Sequence, residues 1–170
     1  MDFAACQAQL RQNGELIREL VASIPEEQAK IKPSPGDWSV LEVINHLYDE
    51  EQEDFRQRFD YLLHRPSEAW PPIDPTGWVT ARSYSERELS GSLQNFLDER
   101  QKSLTWLASL ENPNLEQTET HPVMGKFYAG DMLASWVVHD ILHLRQLIEL
   151  KHFLLGDVIR PYDASYAGEW

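Results

Sequence analysis

The chain has a single cysteine, Cys6, among 170 residues. An internal disulfide is therefore impossible, as is a thiolate-rich zinc or iron–sulfur site within one chain. Basic residues are scarce: 15 Lys and Arg stand against 28 Asp and Glu, a formal net charge of −13. No run of Lys or Arg offsets that excess locally, so the surface repels phosphate backbones and no nucleic-acid partner is expected. The excess acid reads most simply as a means of staying soluble. No stretch approaches the roughly 20 uninterrupted apolar residues of a membrane span, so no membrane partner is expected either. The first residues, Met1 to Gln7, offer neither a basic start nor an apolar block, and a secretory leader is not expected. Together these absences predict a cytoplasmic protein. Convincing strand-like alternation, internal repeats and low-complexity segments are also missing.

What is present suits a globular protein: hydrophobic residues make up 42% of the chain, enough to bury a core in one domain over residues 1–170. Four helices are predicted. The first runs from about Asp2 to Ile24 and stops at Pro25; Phe3, Cys6, Leu10, Ile17, Leu20 and Val21 recur mostly at three- and four-residue steps. The second begins with the capping-box pattern Ser39-x-x-Glu42, with Trp38 and Val43 placed as a hydrophobic staple. It continues to about His64, before Pro66. The third repeats the device with Ser85 as cap, Glu88 answering it, and Tyr84 with Leu89 as staple; it ends near Glu111, before Asn112-Pro113. The fourth runs from Asp131 to about Leu155, with Gly156 as a left-handed stop. Each rod is roughly 35–40 Å long at 1.5 Å per residue.

Four such rods predict an all-α fold, a four-helix bundle with long crossover connections. Residues 25–38 are short enough to join an antiparallel pair. Residues 65–84 and 112–130 are longer and permit crossovers. Trp70 and Trp78, in the first of these, suit either a cap on the core or a lid over one end of the bundle.

The chemistry concentrates in histidines. His139 and His143 are four apart on the fourth helix, so both rings can reach one ion held off the same face. Gln146 follows on the same line, whereas Ser135, Arg145 and Glu149 fall well away from it, so the histidines face inward. A third ligand has to come from another helix, and His46, flanked by core-type residues in the second, is the best placed. Glu42, His46, Glu50, Glu53 and Gln57 share one stripe, which could bring a carboxylate to the ion. Spacing alone leaves an ordinary core as the alternative, because a histidine in an apolar helix is most often a hydrogen-bonded core residue. His64, His121 and His152 lie at a helix end, in a loop before a proline, and near the last turn; each reads as structural or exposed. A di-iron carboxylate bundle fits poorly, since it needs two Glu-x-x-His pairs and only Asp140-x-x-His143 comes close.

Three strings, Trp38-Ser-Val-Leu-Glu-Val-Ile-Asn-His46-Leu, His121-Pro-Val-Met-Gly125 and His139-Asp-x-x-His143-x-x-Gln146, together resemble the DinB/YfiT-like metalloproteins. This is the damage-inducible bundle family, not the polymerase that shares its name. The resemblance covers nearly the whole chain. It implies a four-helix bundle with crossing connections, frequent dimerisation, and a divalent ion, zinc or nickel, held by His46, His139 and His143. It implies no single activity: relatives include thiol-dependent transferases and isomerases.

Three neutral imidazoles leave a coordination position open, which suits catalysis rather than structure. A small-molecule hydrolase or a transferase using a low-molecular-weight thiol cosubstrate is thus expected, with a non-catalytic, dimeric metal-binding stress-response module as the alternative. Glu50, one turn after His46, is the first candidate for a base. Asp140 comes second, about 100° round the helix from His139, where a structural role fits better. Gln146 could orient a ring. Cys6 has no identifiable activating partner.

Overall fold

The computed structural model describes residues 1–66, 68–121 and 125–168. Helix α1 spans Phe3–Val21, and α2 spans Val40–Glu50. A π-helical segment, Glu51–Phe55, joins α2 without a break to α3, Arg56–His64. A short α4, Pro75–Ala81, interrupts the following connection. The bundle is completed by α5, Leu89–Ser109, and α6, Ala129–Ile159. None of these helices is both long and apolar enough to cross a bilayer.

Local chemistry sets the helix starts. Ser39 Oγ accepts from the Glu42 N–H at 3.3 Å and Glu42 Oε2 accepts from the Ser39 N–H at 2.9 Å, the expected reciprocal box. The third helix departs from expectation: Tyr84–Glu86 is a 3₁₀ turn and Ser85 caps nothing. The helix begins at Leu89, whose N–H is accepted by both carboxylate oxygens of Glu26, at 2.8 and 2.9 Å. A side chain 63 residues away thus does the capping, which local spacing cannot reveal.

Two further boundaries move. Helix α1 ends at Val21 rather than Ile24. Helix α6 begins two residues early and runs on to Ile159, through Gly156, which takes no left-handed conformation. The 112–130 connection holds a two-stranded antiparallel hairpin, β1 Thr118–His121 and β2 Gly125–Tyr128, where no strand was expected. Two strands of four residues show too few alternations to stand out in sequence. Pro122, Val123 and Met124, which belong to the family-like string His121–Gly125, lie outside the described residues.

Two apolar clusters stack along the bundle. One joins the end of α1 (Ile17, Val21), the start of α2 (Val40–Leu47), the start of α5 (Leu89, Phe96) and the second half of α6 (Leu144–Leu154). The other joins Leu10 of α1, Phe59 and Leu62 of α3, Leu104 and Leu107 of α5, and Met132 to Trp136 of α6. Therefore α1 and α6 run one way, and α2–α3 and α5 the other. Helix α1 packs mainly on α5 and α6, while α2 packs on α5 and α6. The short connection 25–38 thus joins antiparallel helices that sit diagonally, and α2 and α5 are parallel neighbours reached by the long 65–88 crossover.

Between the clusters lies a buried polar layer built on Arg100. Its Nε and Nη2 donate to Glu51 at 2.8 Å, and its Nη1 and Nη2 donate to Asp140 at 2.7 and 2.8 Å. The remaining Nη1 proton goes to the Leu10 carbonyl at 2.8 Å. All five guanidinium N–H groups are thereby used. Trp136 Nε1 also donates to Glu51, and Asn13 Nδ2 to Asp140. The π segment matters here: its wider turn changes the helical phase, and both Glu51 and Phe55 lie buried.

Replacing Arg100 with Met would leave two buried carboxyl groups without their cation. A loss of about 3–5 kcal/mol of unfolding free energy is expected, read from urea denaturation. A loss below about 1 kcal/mol would show that the layer is not holding the helices together.

Candidate metal centre

The second half of α2 and the middle of α6 bring three imidazoles to one point. His46 Nε2 lies 3.3 Å from His139 Nε2, and His143 Nε2 lies 3.1 Å from the same atom. All three ligand atoms fall within 4.8 Å of one another, and this is the one group of its kind among the described residues. Two nitrogens each about 2.0–2.1 Å from a tetrahedral ion sit about 3.3 Å apart. The spacings of His139 to its two partners, 3.3 and 3.1 Å, fit such an ion.

The tautomer of His143 fits as well. His143 Nδ1 lies 2.8 Å from Gln146 Oε1; a carbonyl oxygen only accepts, so Nδ1 carries the proton and Nε2 presents a lone pair. Gln146 therefore orients a ring, the role expected of it. His46 is 5% exposed and its Nδ1 has no hydrogen-bond partner. His139 and His143 are half-buried. Aromatic rings form its walls: Trp38 stands 4.8 Å from the His46 ring and parallel to His143, and Phe55 stands 4.8 Å from His139.

Burial chiefly depresses the basicity of all three rings. His46 is lowered to about 3 and His139 to about 2, with neighbouring positive charge adding to the effect. His143 is also lowered by burial, opposed by its bond to Gln146. Neutral imidazoles are the form that binds metal.

The carboxylate stripe of helix two survives only in part. Glu42 is occupied by the cap and by Lys32 at 2.7 Å. Glu53 is turned to Arg82, which holds it through two bonds of 2.8 and 2.9 Å. The stripe assumes an unbroken 3.6-residue period, and the π segment ends it. Glu50 is 4% exposed and its carboxyl meets that of Asp54. Burial first, then the neighbouring Asp54, pushes its carboxyl up to about 8. Asp140 belongs to the Arg100 layer rather than to the triad. Trp70 packs on Phe127 and beneath Arg58, and Trp78 beneath Arg82. His64 pairs with Asp60 at 2.8 Å on an exposed turn. Sequence reasoning missed Arg100, Glu51 and the aromatic walls; the signal available for Arg100 was a lone cation in step with Leu93, Phe96, Leu104 and Leu107.

The sequence profile of the DinB superfamily matches residues 9–147. A protein of Oceanobacillus iheyensis named "putative metal-dependent hydrolase" is 27% identical over 136 residues, covering 79% of this chain and 77% of that one. YfiT from Bacillus subtilis, described as a probable metal-dependent hydrolase with an unusual four-helix bundle topology, superposes with a TM-score of 0.77 at 20% identity. That superposition covers 89% of this chain and 87% of YfiT.

Two opposed pH effects on stability follow. The depressed histidines contribute stability that is present above pH ~6.5 and lost as the pH falls, because the unfolded rings take up protons first. The raised Glu50 contributes stability that is present below pH ~4.5 and lost as the pH rises through about 8. Glu50→Gln mimics the neutral acid. Its Tm is expected to exceed the parent's at pH 8 and to match it at about pH 4, measured by thermal melts of metal-free protein. Equal offsets at both pH values would contradict the shift.

Proposed function

The chain belongs to the DinB superfamily, and we propose that it is a metal-dependent hydrolase of a small-molecule substrate. One divalent ion, zinc or nickel, is assigned to His46, His139 and His143. The observation that carries the reading is the convergence of three imidazole Nε2 atoms with spacings of 3.1 and 3.3 Å. The names given to the Oceanobacillus and Bacillus proteins point the same way.

When bound, such an ion supplies Lewis-acid activation of water and of the bond to be cleaved. The chain's own residues supply the rest. Three uncharged ligands leave the ion's charge uncompensated, which favours that activation. Trp38 and Phe55 keep the ligand rings in apolar surroundings, where electrostatic effects are stronger than in water. Glu50 is the proposed proton carrier: it follows His46 by one turn, is buried against the Asp54 carboxyl, and has its own carboxyl pushed up to about 8. A general acid–base group works best when it titrates near the working pH.

A homodimer is part of the same reading. Among the described residues, thirteen large hydrophobic side chains are exposed and eight of them lie on α6. Val138, Ile141, Leu142, Ile148 and Leu155 fall on its outer face, a surface a second copy would cover.

The test begins with protein purified without a histidine tag. About one zinc or nickel per chain is expected, together with turnover of some members of a panel of small esters and amides. Chelation should abolish turnover and the ion restore it. Glu50→Gln should keep the metal and lower kcat at least ~10²-fold. Turnover that requires an added low-molecular-weight thiol would replace hydrolysis with thiol transfer. Stoichiometric metal with no turnover under either condition would leave a metal-binding module instead.

A further inference from the structure

Away from the histidines, a cavity of about 500 Å³ opens between α3 and the second half of α5. Its lining includes three cations, Arg56, Arg65 and Lys102, against one carboxylate, Asp60. In a chain where acids outnumber bases 28 to 15, that is a local reversal of sign. The cations are held in place rather than free. Arg56 bonds Glu99 and, at 3.2 Å, Ser103 Oγ; Lys102 reaches the same Glu99 at 2.8 Å. Glu99 is almost fully buried and can neutralise only one of the two. Arg65 pairs with Asp60 and lies 3.7 Å over the Tyr61 ring. Glu68, 3.9 Å from Arg65, adds a second carboxylate there, whereas at the other end two cations, Arg56 and Lys102, face Glu99 alone and leave one positive charge in excess.

The cavity also has a flat apolar wall. Trp106 lines it and is braced edge-on by Phe59, with centroids 5.9 Å apart at 88°. Gln57 adds an amide that can donate or accept.

We propose that this cavity binds a small aromatic anion, its ring against Trp106 and its carboxylate or phosphate group on Arg56 and Lys102. A planar guanidinium suits either oxyanion, and side chains already fixed by Glu99 and Ser103 lose little freedom on binding. The site is separate from the metal centre and does not depend on hydrolysis.

Phenyl phosphate and benzoate, titrated into the full-length protein, are the probes. The readout is the indole N–H signal of Trp106, assigned through Trp106→Phe. A saturable shift with either probe is expected, and which one binds tighter identifies the anionic group. Inorganic phosphate and benzyl alcohol, each carrying half of the chemistry, should bind at least ~10-fold more weakly, about 1.4 kcal/mol. Lys102→Gln, at an exposed position, should weaken the better probe by a similar factor without changing the metal content. No shift with either probe, an unchanged affinity in Lys102→Gln, or a shift confined to Trp38 beside the histidines would overturn the proposal.

Discussion

The Arg100 guanidinium fixes four chain segments at the level of the histidines. Its partners are the Leu10 carbonyl in α1, Glu51 in the π segment and Asp140 in α6, while Arg100 itself belongs to α5. A buried cation with every donor satisfied tolerates little rotation of those helices, because any slip leaves a desolvated charge unpaired. Asp140 adjoins His139, and Glu51 follows His46 by little more than a turn. The same contacts that close the polar layer therefore set the phase at which the rings from α2 and α6 meet. Stability and site geometry are coupled through one side chain.

That coupling explains the division of the core. A continuous apolar interior would bury more hydrophobic surface, and replacing ionic groups with apolar ones often stabilises a protein. Here the apolar clusters stop on either side of a layer containing Asn13, Glu51, Arg100, Asp140 and Trp136. The layer brings polar order to the plane in which three neutral imidazoles have to be held close together. Burial keeps those rings unprotonated, and the aromatic walls of Trp38 and Phe55 keep their surroundings apolar.

Much of this was legible in the sequence wherever a local pattern encodes it. The Ser39–Glu42 box, the four-residue spacing of His139 and His143, and the Gln146 that orients the latter are all short-range features. So is the inward phase of His46, which lies before the π segment. What could not be read depends on distant partners. Glu26 caps α5 from another segment, so the local S-x-x-E pattern at Ser85 misled. The π segment has no simple spacing signature, so the acidic stripe was extended past its true end to Glu53. The hairpin of residues 118–128 was too short to register, and the diagonal placement of α1 and α2 follows from packing rather than from loop length. Asp140 read correctly as structural from its angle round α6, but its partner was invisible without the fold.

The central claim is that His46, His139 and His143 together hold one ion. X-ray absorption spectroscopy of the zinc- or nickel-loaded protein tests it most directly. The account predicts three imidazole nitrogens at about 2.0–2.1 Å, with the rest of the shell from solvent or small ligands. A shell made mainly of carboxylate oxygens, or one unchanged when His46 is replaced by alanine, would contradict it.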